Sequence, residues 1–384
     1  MKRMLIVGAG IGGLTFIRAM RNTNWSIDVI EKFTAFPKTG IGIVLHPNGL
    51  HVLAQMGMAD YILSAGEVIR RMRLVRGKTE ACISLPEVWS NMKYSTISIL
   101  RPLLHDILYK YSIEMVPNQV KLHLARTLSS VNLTSHQPQV KFNDGSSTTY
   151  DLIVGSDGVN SFLRRSLLGA NSSVCTDLFY FRFLAPNIID IPDNTWITRE
   201  VNDLSYGFIP VSKSYAHCFV QFRTKQAPCK TGSEAGFLES VLKSLNPAML
   251  KMFEARSGHI HSGFAYMVRP IYWGNDRCVL LGDAAHAISP TLSEGGSLAM
   301  EDALVLATSL YKFKNNIPKA LEGYRRARND RVLWAYRMSL GQINAARRGR
   351  DSRPLINSET ATSYMRQMYE PFHTSPLPPE LLSD

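Results

Sequence analysis

The sequence predicts an α/β fold: a Rossmann-like domain on a parallel sheet, an interleaved domain on an antiparallel sheet, and a helical C-terminal region. Three observations predict it. A short apolar run, residues 4–7, meets a glycine-rich turn and then an apolar helical stretch. Residues 175–224 hold three runs of β-rich alternation, the pattern of an antiparallel sheet. Beyond residue 298 the spacing is helical up to about residue 350. The 384 residues, 45% apolar and 19% charged, suffice for two lobes and do not read as disorder.

In chain order, residues 4–7 read as a buried strand, 8–13 as a turn, 12–22 as a helix and 26–32 as a second strand, a βαβ unit. Residues 96–100 read as a strand running into a helix over 101–111, with Pro102 tolerated in its first turn. Residues 138–158 hold a hairpin turned on Asn143-Asp144-Gly145, then a buried strand. Residues 234–256 read as helical. Residues 278–281 (Cys-Val-Leu-Leu) form a strand that stops on Gly282-Asp283. Pro371, Pro376, Pro378 and Pro379 mark a loose tail.

The net charge of +12 admits nucleic acid, an anionic membrane surface or anionic small ligands. Much of it lies in residues 324–331 and 345–353, which read as solvated helix faces with little aromatic interleaving, so no nucleic-acid partner is expected. The five cysteines form no C-x-x-C pair, which disfavours a disulfide framework or a metal site and fits a cytoplasmic location. No apolar run reaches ~18 residues, so no membrane span is expected. The N-terminus imitates a signal peptide, but its glycines fall at phosphate-turn spacing instead.

Three motifs carry the chemistry. The first is Gly8-x-Gly10-x-x-Gly13, with Gly12 inside it. Gly8 permits the tight turn, Gly10 lets backbone approach a pyrophosphate, and Gly13 lets helix pack on strand. Glu31 ends the next strand, where a carboxylate suits a ribose diol; the plain alternative is a solvated strand end. The second is Gly155-x-Asp157-Gly158, followed by Ser161 and Arg164; Asp157 could instead cap its turn. The third is Gly282-Asp283, followed by small residues, Pro290 and Gly295-Gly296.

In this order the three motifs resemble the class A flavoprotein monooxygenases, the para-hydroxybenzoate hydroxylase-like family, over roughly residues 3–340. The resemblance implies an FAD-binding domain over 1–72, 94–170 and 270–340, a substrate domain over 73–93 and 171–269, and a C-terminal helix and tail over 341–384. It implies that Asp283 binds the ribityl chain and that Pro290, Gly295 and Gly296 pass the isoalloxazine ring. Backbone N–H groups there would face negative charge on the reduced ring. Gly42 and Val44 match a segment flanking the flavin. Arg101 matches an arginine that reaches the phosphates, Thr127 matches an adenine contact, and Lys32 stands where relatives often carry arginine. The implied reaction is reduction of FAD by NADPH or NADH, uptake of O2 as a C4a-hydroperoxide, and hydroxylation or epoxidation of a small aromatic or polycyclic substrate by a monomer or homodimer. A reductase of the geranylgeranyl type, without oxygen insertion, is the flavin alternative; a nucleic-acid or partner-binding protein on a flavin fold is the other.

The chain departs from the family at Ala287, Ser293 and Glu294, where relatives carry proline and G-Q-G. Glu294 is expected to point to solvent; pointed inward, it would oppose negative charge on the flavin and raise its own pKa. Thr291 stands where urate-hydroxylating relatives use aspartate, which disfavours urate. The aromatics Phe179, Phe181, Phe183, Tyr206, Phe208, Phe219 and Phe222 suit either an aromatic ligand or an ordinary core. His217, Tyr206, Tyr180, Arg182 and Arg223 are read as packing or surface residues, and no general base is assigned.

Overall fold

A computed structural model describes residues 1–347 except 39, 117, 136, 189–193 and 315. The expected tail lies outside the described residues.

The first apolar run forms the strand Lys2–Val7 at the centre of a five-stranded parallel sheet. Its neighbours are Leu152–Gly155 on one side, with Cys278–Leu280 beyond, and Trp25–Ile30 on the other, with Val120–His123 beyond. A parallel sheet is covered on both faces, which is why these strands are continuous apolar runs. Leu5, Ile6, Val29, Ile153, Val154 and Leu280 are fully buried in it.

Register does the functional work here. Val7 lies opposite both Gly155 and Ile30, and Gly155 lies opposite Leu280. The residues that follow each strand are Gly8, Glu31, Ser156-Asp157 and Leu281-Gly282-Asp283. Motifs up to 275 residues apart therefore meet at one carboxyl edge, where open α/β sheets bind ligands.

The second sheet has seven strands, in the order Ser257–Val268, Ser173–Pro186, Tyr215–Arg223, Leu204–Pro210, Thr195–Val201, Arg71–Arg76, Thr79–Ser84. It is antiparallel except where Thr195–Val201 pairs with Arg71–Arg76. The sequence reading missed Ser257–Val268, whose first half is rich in histidine, serine and glycine and carries Ile260 as its one aliphatic residue. Strand alternation divides the aromatics between the two faces, with Phe219 on the cavity side. Phe179, Phe181 and Phe183 point to the face covered by the helices Glu234–Leu245 and Pro247–Glu254, and are core. Each such ring contributes about 1.5–3 kcal/mol by leaving water. Tyr180, Arg182 and Leu184 point to the opposite face.

The stretch 234–256 is two helices, because Asn246 caps the second through Met249 N and Pro247 opens it. The helical C-terminal region is Gly295–Lys312 and Ile317–Arg347.

Candidate active site

One cavity of about 1290 Å³ opens between the parallel sheet's carboxyl edge and the free face of the second sheet. Its first wall is the glycine turn. Gly8 has φ +102°, and a Cβ there would lie 2.5 Å from Ser156 O. A Cβ on Gly13 would lie 2.3 Å from Gly8 O, and one on Gly12 2.6 Å from Leu281 Cδ1. These three glycines are required by close packing of turn, helix and strand. Gly10 is different: a Cβ on it would meet nothing within 4 Å, and it faces the cavity. No side chain caps the helix Ile11–Ala19 that starts here, so its first N–H groups remain available to an anion.

Glu31 is buried, contrary to a solvated strand end. Its Oε2 accepts from Ala9 N at 3.0 Å and its Oε1 from Phe33 N at 3.2 Å. It thereby ties the glycine turn to the next strand. Lys32 and Thr127 are exposed beside it, and Thr127 follows Arg126, whose N–H donates to Glu31 O. None of these three lines the cavity.

Asp157 takes the capping alternative. Its Oδ2 accepts from Phe162 N at 2.7 Å and Leu163 N at 3.2 Å, opening the helix Phe162–Leu168. Burial raises its pKa against those bonds. Arg164 is fully buried and donates to Ser172 Oγ and Ala284 O, both at 2.7 Å. It pins the second motif to the third from inside the protein.

The wall opposite the glycine turn is the segment from Gly282 to Gly296. Gly282 has φ +57°, and its N–H donates to Asp302 Oδ2 at 2.8 Å. Asp283 is exposed and lines the cavity. Surrounding protein raises its pKa, opposed by His286, Arg101 and Arg164. Arg101 starts the helix Arg101–Tyr109, and its N–H donates to Ile41 O at 2.9 Å. Gly42 and Val44 lie on the paired strand Gly42–Leu45 and line the cavity with Pro290, Gly295 and Gly296. A Cβ on Gly295 would sit 3.7 Å from Asp283 Oδ1.

Glu294 overturns its expected exposure: it is 1% exposed, and Asn48 Nδ2 donates to its Oε1. It adjoins a buried ion network that the sequence reading did not find. Arg328 bonds Glu301 and Asp302 at 2.7 Å each, Arg331 bonds Glu301 at 3.2 Å, and His286 bonds Asp302 at 2.6 Å. The basic run 324–331 is thus only partly a solvated face. A signal existed: Tyr324, Arg328 and Val332 recur every fourth residue, and all three are fully buried.

The free face of the second sheet closes the cavity. His217, Arg182 and Arg223, read from sequence as packing or surface residues, all line it; Tyr206 is core as read. Register places Arg182 opposite Phe219, two residues from His217 on the same face. Burial and the Arg182 charge lower the His217 pKa to about 3, so the ring is neutral. The backbone of Gly42 is the near polar neighbour of the ring.

Comparison with known proteins agrees with this geometry. Residues 2–338 match the family described as FAD binding domain. The aurachin C monooxygenase/isomerase of Stigmatella aurantiaca is 26% identical over 354 residues, covering 88% of this chain and 89% of that protein. The 3-hydroxybenzoate 6-hydroxylase of Klebsiella oxytoca is 25% identical, covering 89% and 88%. Among solved structures, a variant of HpxO from Klebsiella pneumoniae complexed with FAD superposes with a TM-score of 0.84 at 22% identity, covering 96% of this chain and 98% of that one. No helix among the described residues is long and apolar enough to cross a membrane.

Proposed function

The chain belongs to the class A FAD-dependent monooxygenase family, and from that premise we propose that it oxygenates a small aromatic or polycyclic substrate with electrons from NADPH or NADH and oxygen from O2. The observation that carries the proposal is the cavity at the carboxyl edge of the parallel sheet. At about 1290 Å³ it exceeds the ~300–1,000 Å³ of an ordinary ligand pocket, leaving room for a flavin ring and a second ring beside it.

The residues fit FAD. Gly10 offers backbone with open space before it, and the uncapped helix behind it offers N–H groups to a pyrophosphate. Glu31 keeps lone pairs free for a ribose diol, with Lys32 and Thr127 beside it for the adenosine end. Arg101 and Asp283 both line the cavity, where Arg101 would meet phosphate and Asp283 the ribityl hydroxyls. Gly42 and Val44 line the cavity where they would flank the ring, and Pro290, Gly295 and Gly296 line it where their backbone N–H groups would stabilise negative charge on the ring. Asp157 acts through the turn it caps. FAD, when bound, supplies two-electron transfer from the nicotinamide and activation of O2.

The chain supplies the rest. Residues 1–72, 94–170 and 270–340 form the cofactor lobe, and 73–93 and 171–269 the substrate lobe. The cavity's apolar walls exclude water from the reacting ring. Arg182, which meets no carboxylate among the described residues and stacks over Tyr180 at 4.6 Å, orients an anionic or strongly accepting substituent. Neutral His217 accepts a hydrogen bond from a ring hydroxyl, which raises electron density on the ring. The test is NADPH and NADH oxidation by the FAD-loaded protein against phenolic and polycyclic compounds. One compound should accelerate oxidation and gain one oxygen atom. Bound FAD with no oxygenated product would instead favour the reductase reading.

A further inference from the structure

One side chain in the wall from Pro290 to Gly296 has no role so far. Ser293 holds φ +54°, the left-handed region that a serine rarely adopts, and Glu294 follows it with its side chain buried. The groups that face Glu294 come from three elements. Asn48 donates from the helix Pro47–Gln55, Glu301 lies further along Glu294's own helix, and Arg328 and Arg331 reach in from Ile317–Arg347. Asp302 and His286 lie one contact further on.

Charge balance decides the state of Glu294. The two guanidiniums are already matched by Glu301 and Asp302. An ionised Glu294 would be a third carboxylate against two arginines, sharing the Asn48 amide that also donates to Glu301 at 3.0 Å. A buried carboxylate without its own counter-charge is far costlier than the neutral acid. Since Oε1 accepts from Asn48, the proton of the neutral acid resides on Oε2, which has no partner among the described residues.

We propose that Glu294 is a neutral carboxylic acid in the native protein and a proton-carrying positioning residue for the FAD ring. Neutral, it leaves the wall free of fixed negative charge and holds an O–H donor there. Ionised, it opposes the negative charge that reduction places on bound FAD. Burial, the largest influence on this carboxyl, pushes it well above the usual carboxylate range in the same direction. The inference rests on the reading of this wall as the FAD site, so the experiment separates the two.

Full-length wild type, E294Q and E294M are unfolded in urea at a series of pH values from 5 to 8, and the midpoint potential of bound FAD is measured over the same range. Above the ordinary carboxylate pKa the unfolded chain releases a proton that folded Glu294 keeps. Wild type should therefore lose stability relative to both variants as pH rises, by up to tenfold in the unfolding constant per pH unit. A pH-independent ratio, or variants that weaken as pH rises, overturns the neutral acid. E294Q, which keeps a donor, should hold the FAD potential near the wild-type value at low pH, whereas E294M lowers it. Equal potentials in all three overturn the positioning role. If no FAD binds, the proposed function fails while the unfolding comparison still reports on Glu294.

Discussion

Replacing Arg328 with methionine should both destabilise the protein and loosen the Gly282-Asp283 turn. The side chain is fully buried between Glu301 and Asp302, which are themselves 2% and 0% exposed. Among the described residues, removing it leaves Asp302 with His286 and Gly282 N, and leaves Glu301 with Arg331 and Asn48. Breaking a buried ion pair from one side costs about 3–5 kcal/mol. At about 2–4 °C per kcal/mol for a domain of 150–250 residues, that is a fall of about 6–20 °C in Tm. The expected measurement is calorimetry of R328M beside the triple variant E301Q/D302N/R328M. The triple variant should recover much of the loss, because it no longer buries unmatched carboxylates. Because Asp302 holds Gly282 N at 2.8 Å, R328M should also bind FAD more weakly than wild type at a temperature where both are folded. A Tm within 2 °C of wild type would refute the reasoning, as would a triple variant less stable than R328M.

Other consequences follow from the same contacts. Gly13→Ala places a Cβ 2.3 Å from Gly8 O and should cost at least about 1–3 kcal/mol by overpacking while abolishing FAD retention, read by the flavin absorbance of the purified protein. The network also sets an acid limit. His286 and Arg328 hold the Asp302 carboxyl down at about 2, against burial, so its stabilisation is complete above the ordinary carboxylate pKa and is lost as pH falls from about 4 towards 2; acid unfolding in that window, absent in D302N, checks it. Arg182→Leu should raise KM for an anionic aromatic substrate about 10–100-fold through loss of a charged hydrogen bond, with FAD binding unchanged.

The parts legible in the sequence are those decided by local backbone. Gly8, Gly12, Gly13 and Gly282 sit where a side chain cannot fit, and Gly8 and Gly282 close apolar strands, so chain order alone locates the carboxyl edge. Alternation over 175–224 found the second sheet but not which of its faces is core; the covering helices, remote in the chain, decide that and turn Arg182 and His217 to the cavity. The ion network was hidden for a related reason. Glu301, Asp302, Arg328 and Arg331 look like surface charges until two helices pack, and Glu294 is buried where Asn48 of a third helix meets it. Polar residues in an interior are specified by their partners, and partners distant in sequence leave no local pattern.

The most direct test of the account is an FAD titration of the full-length protein and of Asp283→Ala, followed by flavin fluorescence. Wild type should bind FAD stoichiometrically. D283A, which removes one or two charge-assisted hydrogen bonds of about 1.5–3 kcal/mol each, should bind at least about 10-fold more weakly. Wild type without affinity for FAD, or D283A with undiminished affinity, would contradict the assignment of this cavity as the flavin site.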